Sequence, residues 1–227
     1  MCAGPSNGKA PPLRFREARP HRLDIYTASV TTNRLESFSD GVIAIIITIM
    51  VLELDIPHGV RVDDLTPLLP VFLAYGLSFV NLGIYWNNHH HMLTTVEGVN
   101  GAILWANLHL LFWLSLFPFM TGWMGESGFA SLPVALYGVV SFLAAIAYWV
   151  LQQTIIVAQG EGSRLATAVG RDIKGKVSPL LYVGGIVFAY PSRWISLALY
   201  VVVALMWLIP DRRIEGSSLP RRDVIGR

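Results

Sequence analysis

Seven polar side chains stand in or beside stretches that are otherwise built for hydrocarbon: Ser39, Asp40, His89, His90, His91, Asn107 and His109. Asp40 directly precedes Gly41 to Leu52, a run whose one polar side chain is Thr48. At full bilayer depth an ionised carboxylate costs about 2.5–3.5 kcal/mol on insertion scales, so an intramembrane acid calls for a named donor. Histidine and asparagine are suitable donors, and Ser39 can join such a network. Three chemistries are open to the cluster. It can lock helix one against its neighbours, since buried polar groups are usually satisfied. It can do so in a pH-responsive way, since imidazole titrates near neutrality in ordinary surroundings. It can hold a metal, although consecutive histidines on a helix point about 100° apart, so His89 to His91 offer at most two ligands to one ion.

The elements that must position these groups are membrane spans. Of 227 residues, 53% are hydrophobic and 14% charged, which places the chain among all-α polytopic membrane proteins. A formal charge of +2 gives no reason to expect nucleic acid, and no phosphate loop, serine nucleophile elbow or zinc-type Cys/His spacing is seen. Cys2 is the single cysteine, so an intrachain disulfide is excluded. No metal or other cofactor is expected. Six apolar runs follow one another: the first through Leu52, then about 67–92, 102–124, 132–158, 177–190 and 194–209. The last two are short for a bilayer that needs about 20 residues, and are read as short packed spans or a re-entrant hairpin.

Residues 1–33, with four prolines and five of the basic side chains, form a largely disordered basic tail that can end in a short interfacial helix. They lack the apolar core of a cleavable signal, so the tail is expected to stay. Residues 34–210 make the six-helix domain and 211–227 a second tail. Lys and Arg number 6 in residues 1–34, 4 between spans four and five, and 5 in the C-terminal tail. With six spans these three segments share one face, so both termini are expected in the cytoplasm of a plasma-membrane protein. The same order places Asp40, the histidine run and the start of span three in one third of the membrane, where they can meet. The high Arg to Lys ratio hints at a bacterial source.

A helical wheel then orients span one. With Ile45 at zero, Ile49 falls at about +40°, Leu52 at about −20°, Thr48 at about −60° and Asp40 at about −140°. If Asp40 faces neighbouring helices, the stripe Ile45, Ile49, Leu52 faces away from them.

The pattern Arg34-x-x-x-Phe38-Ser39-Asp40-Gly41, followed by Ala44-Ile45 and Thr48, resembles the opening helix of the prokaryotic relatives of the endosomal and lysosomal potassium channel. Tyr85-Trp86-x-x-His89-His90, Asn107-Leu108, Leu111-Phe112 and Pro118-Phe119 are similar to that family's next blocks. The resemblance implies a potassium-selective channel without a Thr-Val-Gly-Tyr-Gly filter. It implies a homotetramer of six-helix subunits in the lipid bilayer, whose first helices line a central pore for K+. Ile45, Ile49 and Leu52 are then the pore constriction and Thr48 the residue associated with selectivity. Arg34, Phe38, Ser39 and Asp40 become the motif that packs helix one, with His89, His90, Asn107 and His109 as its partners. His91, and His109 in place of a more usual aliphatic residue, depart from the pattern. A proton- or cation-coupled secondary transporter is the alternative; it would need broken helices and a midplane site, for which Pro179 and Gly184-Gly185 are the nearest features. A membrane enzyme or metal protein built on the histidine run is a third.

Overall fold

The computed structural model describes residues 21–160, 162–163, 165–166 and 173–208; the remainder of both expected tails lies outside the described residues. The described residues hold seven α-helices and no strand. They are α1 (His21–Leu52), α2 (Leu69–Leu93), α3 (Gly101–Leu114), α4 (Phe117–Glu126), α5 (Ser131–Gln159), α6 (Ile173–Phe188) and α7 (Arg193–Leu208), with a short 3-10 helix at Val62–Leu68. Four stretches are long and apolar enough to cross a membrane: Thr32–Leu52, Val62–Leu93, Gly101–Glu126 and Ser131–Gln159. Together they make the chain a multi-pass, all-helical membrane protein.

Local chemistry accounts for where the helices begin and end. The Asn100 side chain accepts from Ile103 N–H at 2.9 Å and caps α3. Pro70 and Pro118 sit in the first turns of α2 and α4, where a missing N–H costs nothing. Pro118 also splits the third apolar run, expected as one helix, into α3 and α4, which break at Ser115-Leu116 because the proline has no N–H to offer the Leu114 carbonyl four residues back and its ring crowds it. Gly160, at φ +89°, ends α5 in a conformation that few other residues adopt. α1 is helical from His21, so the short helix expected before Arg34 and the first span form one continuous rod.

α5 is the hub. It packs against α3, α4, α6 and α7, and half of its most apolar window is buried, against 28% for α1. α1 touches α2, α3 and α4 and stands at the edge of the bundle. In lipid there is no hydrophobic drive pushing helices together, so close packing and hydrogen bonds must do it. The packing is tightest where α5, α6 and α7 meet. Tyr200 is fully buried and donates to Val134 O at 3.2 Å, and its ring lies where a side chain on Gly138 or Gly185 would be. Ser196 Oγ ties α7 to α6 by donating to Gly185 O at 2.6 Å. α6 and α7 have 16 residues each, about 24 Å of helix at 1.5 Å per residue.

Candidate functional site

α1 carries two faces. Leu35, Ser39, Ile43, Ile46 and Met50 are buried, spaced three and four residues apart as one side of a helix. About 120° round the wheel lie Ile45, 58% exposed, and Leu52, 79% exposed, with Ile49 and Thr48 also exposed. The aliphatic stripe thus points out of the subunit. Below it runs an open groove of about 800 Å³ between α1 and α4, lined by Ile45, Ile49, Pro118, Phe119 and two acids at one end, Glu53 and Glu126. Thr48 Oγ1 donates to Ile45 O at 2.9 Å, so its hydroxyl is satisfied within the helix.

On the buried face three helices are joined by a hydrogen-bonded chain. Ser39 Oγ donates to Leu35 O at 2.9 Å, Asn107 Nδ2 donates to Ser39 Oγ at 2.9 Å, and His89 Nε2 lies 2.7 Å from Asn107 Oδ1. All three side chains are fully buried. The direction of every bond follows from the end of the chain: a backbone carbonyl only accepts, so Ser39 donates to it, receives from the Asn107 amide, and leaves Oδ1 to receive from histidine. His89 therefore carries its proton on Nε2 when neutral. Its Nδ1 is buried with no partner among the described residues.

Asp40 is bound differently from the expectation. Its Oδ1 accepts from Trp86 Nε1 at 3.0 Å, not from a histidine or asparagine. The reason is angular: Ser39, not Asp40, lies on the inward stripe, and Asp40 is displaced about 100° to the flank facing α2. His90 Nδ1 pairs with Glu36 Oε1 at 2.7 Å, one turn before Asp40, and stacks near Trp86 with ring centroids 6.4 Å apart. His91 packs edge-on against His90.

His109 does not join the motif. It is exposed and accepts from Trp113 Nε1 at 3.0 Å within its own helix, because two residues beyond Asn107 is about 200° round the axis. Arg34 and Phe38 also depart from the expected packing role within the subunit. Both are exposed, Phe38 at 53%, and share the angular sector of Ile45. Of the four motif residues of α1, Ser39 and Asp40 are the two seen to hydrogen-bond to other helices of the same subunit, among the described residues.

A second buried polar cluster escaped the sequence reading. Ser78 Oγ and Asn81 Nδ2 both donate to Tyr137 Oη, at 3.2 and 2.9 Å, and Thr121 Oγ1 lies 2.6 Å from Ser78 Oγ and 3.8 Å from Met50 Sδ. It ties α2, α4 and α5 to the buried face of α1. The signal was present as four polar residues inside apolar runs.

A model of the family described as the endosomal/lysosomal potassium channel TMEM175 matches residues 34–118. A potassium channel of Chryseobacterium sp. (strain P1-3) is 55% identical over 188 residues, covering 83% of this chain and 98% of that one. The human endosomal/lysosomal proton channel TMEM175 is 28% identical over 171 residues, which are 66% of this chain and 34% of the human protein. The crystal structure of a lysosomal potassium-selective channel TMEM175 homolog from Chamaesiphon minutus matches with a TM-score of 0.71 at 27% identity, over 81% of this chain and 98% of that one. The residues matched by the family model run from Arg34 to Pro118, which spans the hydrogen-bonded chain, the Asp40–Trp86 bond and the exposed stripe. This chain belongs to the TMEM175 family.

Proposed function

We propose that the chain forms a potassium-selective channel of the plasma membrane, passing K+ passively through a central pore lined by α1 from four identical subunits. The observation that carries the reading is the division of α1: hydrogen-bonded to its own subunit on one side, aliphatic and open on the other, on a helix at the edge of the bundle. An exposed aliphatic stripe suits lipid as well as a pore. The relative at 55% identity, named a potassium channel and matched along almost its whole length, favours the pore.

In this reading Ile45, Ile49 and Leu52 of four subunits form stacked apolar rings. A narrow ring of this kind excludes water and so blocks ions, and a small widening rewets it. Thr48 lies beside the rings. Partial dehydration costs less for the larger K+ than for Na+, which gives an apolar constriction a basis for selectivity. Arg34 and Phe38, in the sector of Ile45, then face the neighbouring subunit or the pore mouth, and Ser39 and Asp40 with their partners hold each α1 in register. α6 and α7 serve as two short spans packed on α5, which with α3 and α4 counted together makes six crossings. The clustering of positive charge supports a cytoplasmic position for both termini.

Purified protein in liposomes under a K+ gradient tests the reading, with Na+ and H+ gradients as controls. The expected result is dissipative flux, greater for K+ than for Na+. Saturable uptake that needs a proton gradient would contradict it and favour a coupled transporter.

A further inference from the structure

A second cavity lies away from α1. It encloses about 600 Å³ between α2, α5, α6 and α7, within the range of about 300–1,000 Å³ typical of pockets for one small molecule. Its walls are mainly apolar, aliphatic and aromatic, with Tyr85, Tyr182 and Val203 among them, and at one end lies Lys176. No carboxylate lines it among the described residues, and Lys176 forms no ion pair among them. Lys176 belongs to the start of α6, near the membrane surface, whereas Tyr182 and Val203 lie deeper along their helices. The cavity is therefore cationic at its shallow end and mainly apolar at its deep end, where the amide nitrogen of Asn81 is engaged by Tyr137.

Gln152 is the telling residue. It is only 9% exposed, lines the cavity, and makes no hydrogen bond to any described residue. Neither its oxygen nor its nitrogen is fully sealed, so what remains accessible faces the cavity. Gln153, the next residue, lines the same space. Four amides, of Asn81, Asn88, Gln152 and Gln153, and one lysine in an otherwise mainly apolar wall form the pattern of a site in which a few polar groups orient a mainly apolar ligand.

We infer that this cavity binds a single-chain amphiphile with an anionic carboxylate head, the headgroup between Lys176 and the Gln152 amide and the hydrocarbon chain among Tyr85, Tyr182 and Val203. The volume suits one chain rather than the pair carried by a phospholipid. The basic end and the lack of acids among the described lining residues favour an anion over an amine. The membrane location gives the chain a direct route from lipid, since Trp149 on the cavity wall is 57% exposed on the bundle's surface.

A dodecanoate analogue bearing a diazirine is the probe, added to phosphatidylcholine vesicles holding the full chain, irradiated, and mapped by peptide mass spectrometry. Labelling is expected to concentrate on 145–156, 178–182 and 203–207, and to be displaced by excess dodecanoate but not by dodecanol or by a two-chain phosphatidylglycerol. Ala145→Phe, which fills the cavity, should reduce labelling by about tenfold. Lys176→Gln, at an exposed position that does not threaten folding, should reduce it by about tenfold or more, in line with one charge-assisted hydrogen bond, and Lys176→Arg should restore it. Labelling spread over the lipid-exposed faces of all the helices, equal displacement by dodecanol, or an unchanged Lys176→Gln would each overturn the assignment. Displacement by phosphatidylglycerol alone would overturn it in favour of a membrane phospholipid. The readout needs no ion flux, so it stands or falls separately from the channel reading.

Discussion

Asn107 is the central link of the Ser39–Asn107–His89 chain, and replacing it should be the most damaging change to that chain. Asn107→Leu keeps the branched shape of the side chain and removes two interhelical hydrogen bonds, at 2.7 and 2.9 Å. Such bonds inside membrane proteins are worth about 0.6 kcal/mol on average and up to about 1.7. The loss also strands the Nε2–H of a fully buried imidazole, a penalty of about 1–3 kcal/mol that overlaps with the bond it replaces. Together these give about 2–3 kcal/mol. Ser39→Ala removes one interhelical bond and leaves the His89–Asn107 pair intact, so about 1 kcal/mol is expected. The double variant should show a coupling of about 0.5–1.5 kcal/mol, since the two residues share a bond. Unfolding in mixed micelles titrated with dodecyl sulfate, followed by tryptophan fluorescence at fixed protein concentration, measures all three. Fixed concentration matters because an assembled protein gains apparent stability by mass action. If Asn107→Leu costs no more than Ser39→Ala, or the double variant is simply additive, the chain does not hold α1 as argued.

Trp86→Phe removes the one donor seen on Asp40 and, like Asp40→Ala, should lower the fraction of assembled protein on size exclusion while leaving ion preference unchanged; normal assembly with altered preference would reverse that assignment. Ile45→Asn should raise K+ leak through liposomes and lower the K+ to Na+ ratio, and unchanged currents would count against Ile45 as part of the constriction. Gly138→Ala and Gly185→Ala should each destabilise the bundle by about 1–3 kcal/mol or more, because the new Cβ meets Tyr200. Adding Tyr200→Phe should partly rescue Gly138→Ala, whose nearest obstacle is the hydroxyl, and not Gly185→Ala, whose nearest obstacle is a ring carbon; thermal melts in detergent distinguish the two.

Much of this arrangement was legible because membrane spans leave few polar residues to account for. Ser39, His89 and Asn107 stood out against apolar surroundings, and counting spans put them at one depth, where the structure joins them. The outward stripe of α1 was also readable from the wheel, although the residue that turns inward is Ser39 rather than Asp40. That difference hid the Asp40–Trp86 bond, since a tryptophan near a span end reads equally well as an interfacial anchor. The exposure of Phe38 was hidden for a related reason: on a helix apolar all round, periodicity does not choose a face. His109 was grouped with Asn107 by proximity in sequence, where helical geometry separates them by more than half a turn. The break before α4 was signalled by Pro118, and the Ser78–Asn81–Thr121–Tyr137 cluster by its polarity, yet which helices they join depends on contacts between segments more than 40 residues apart.

The central claim is that Ile45, Ile49 and Leu52 surround the path of the ion. Cysteine at position 49, in a Cys2→Ser background that leaves no other thiol, provides the most direct test. Potassium flux through liposomes is measured before and after a charged, membrane-impermeant thiol reagent, with Ile43→Cys on the buried face as the control. Flux through Ile49→Cys is expected to be abolished on labelling, and flux through Ile43→Cys is not. Full flux through protein shown by mass to be labelled at position 49 would contradict it.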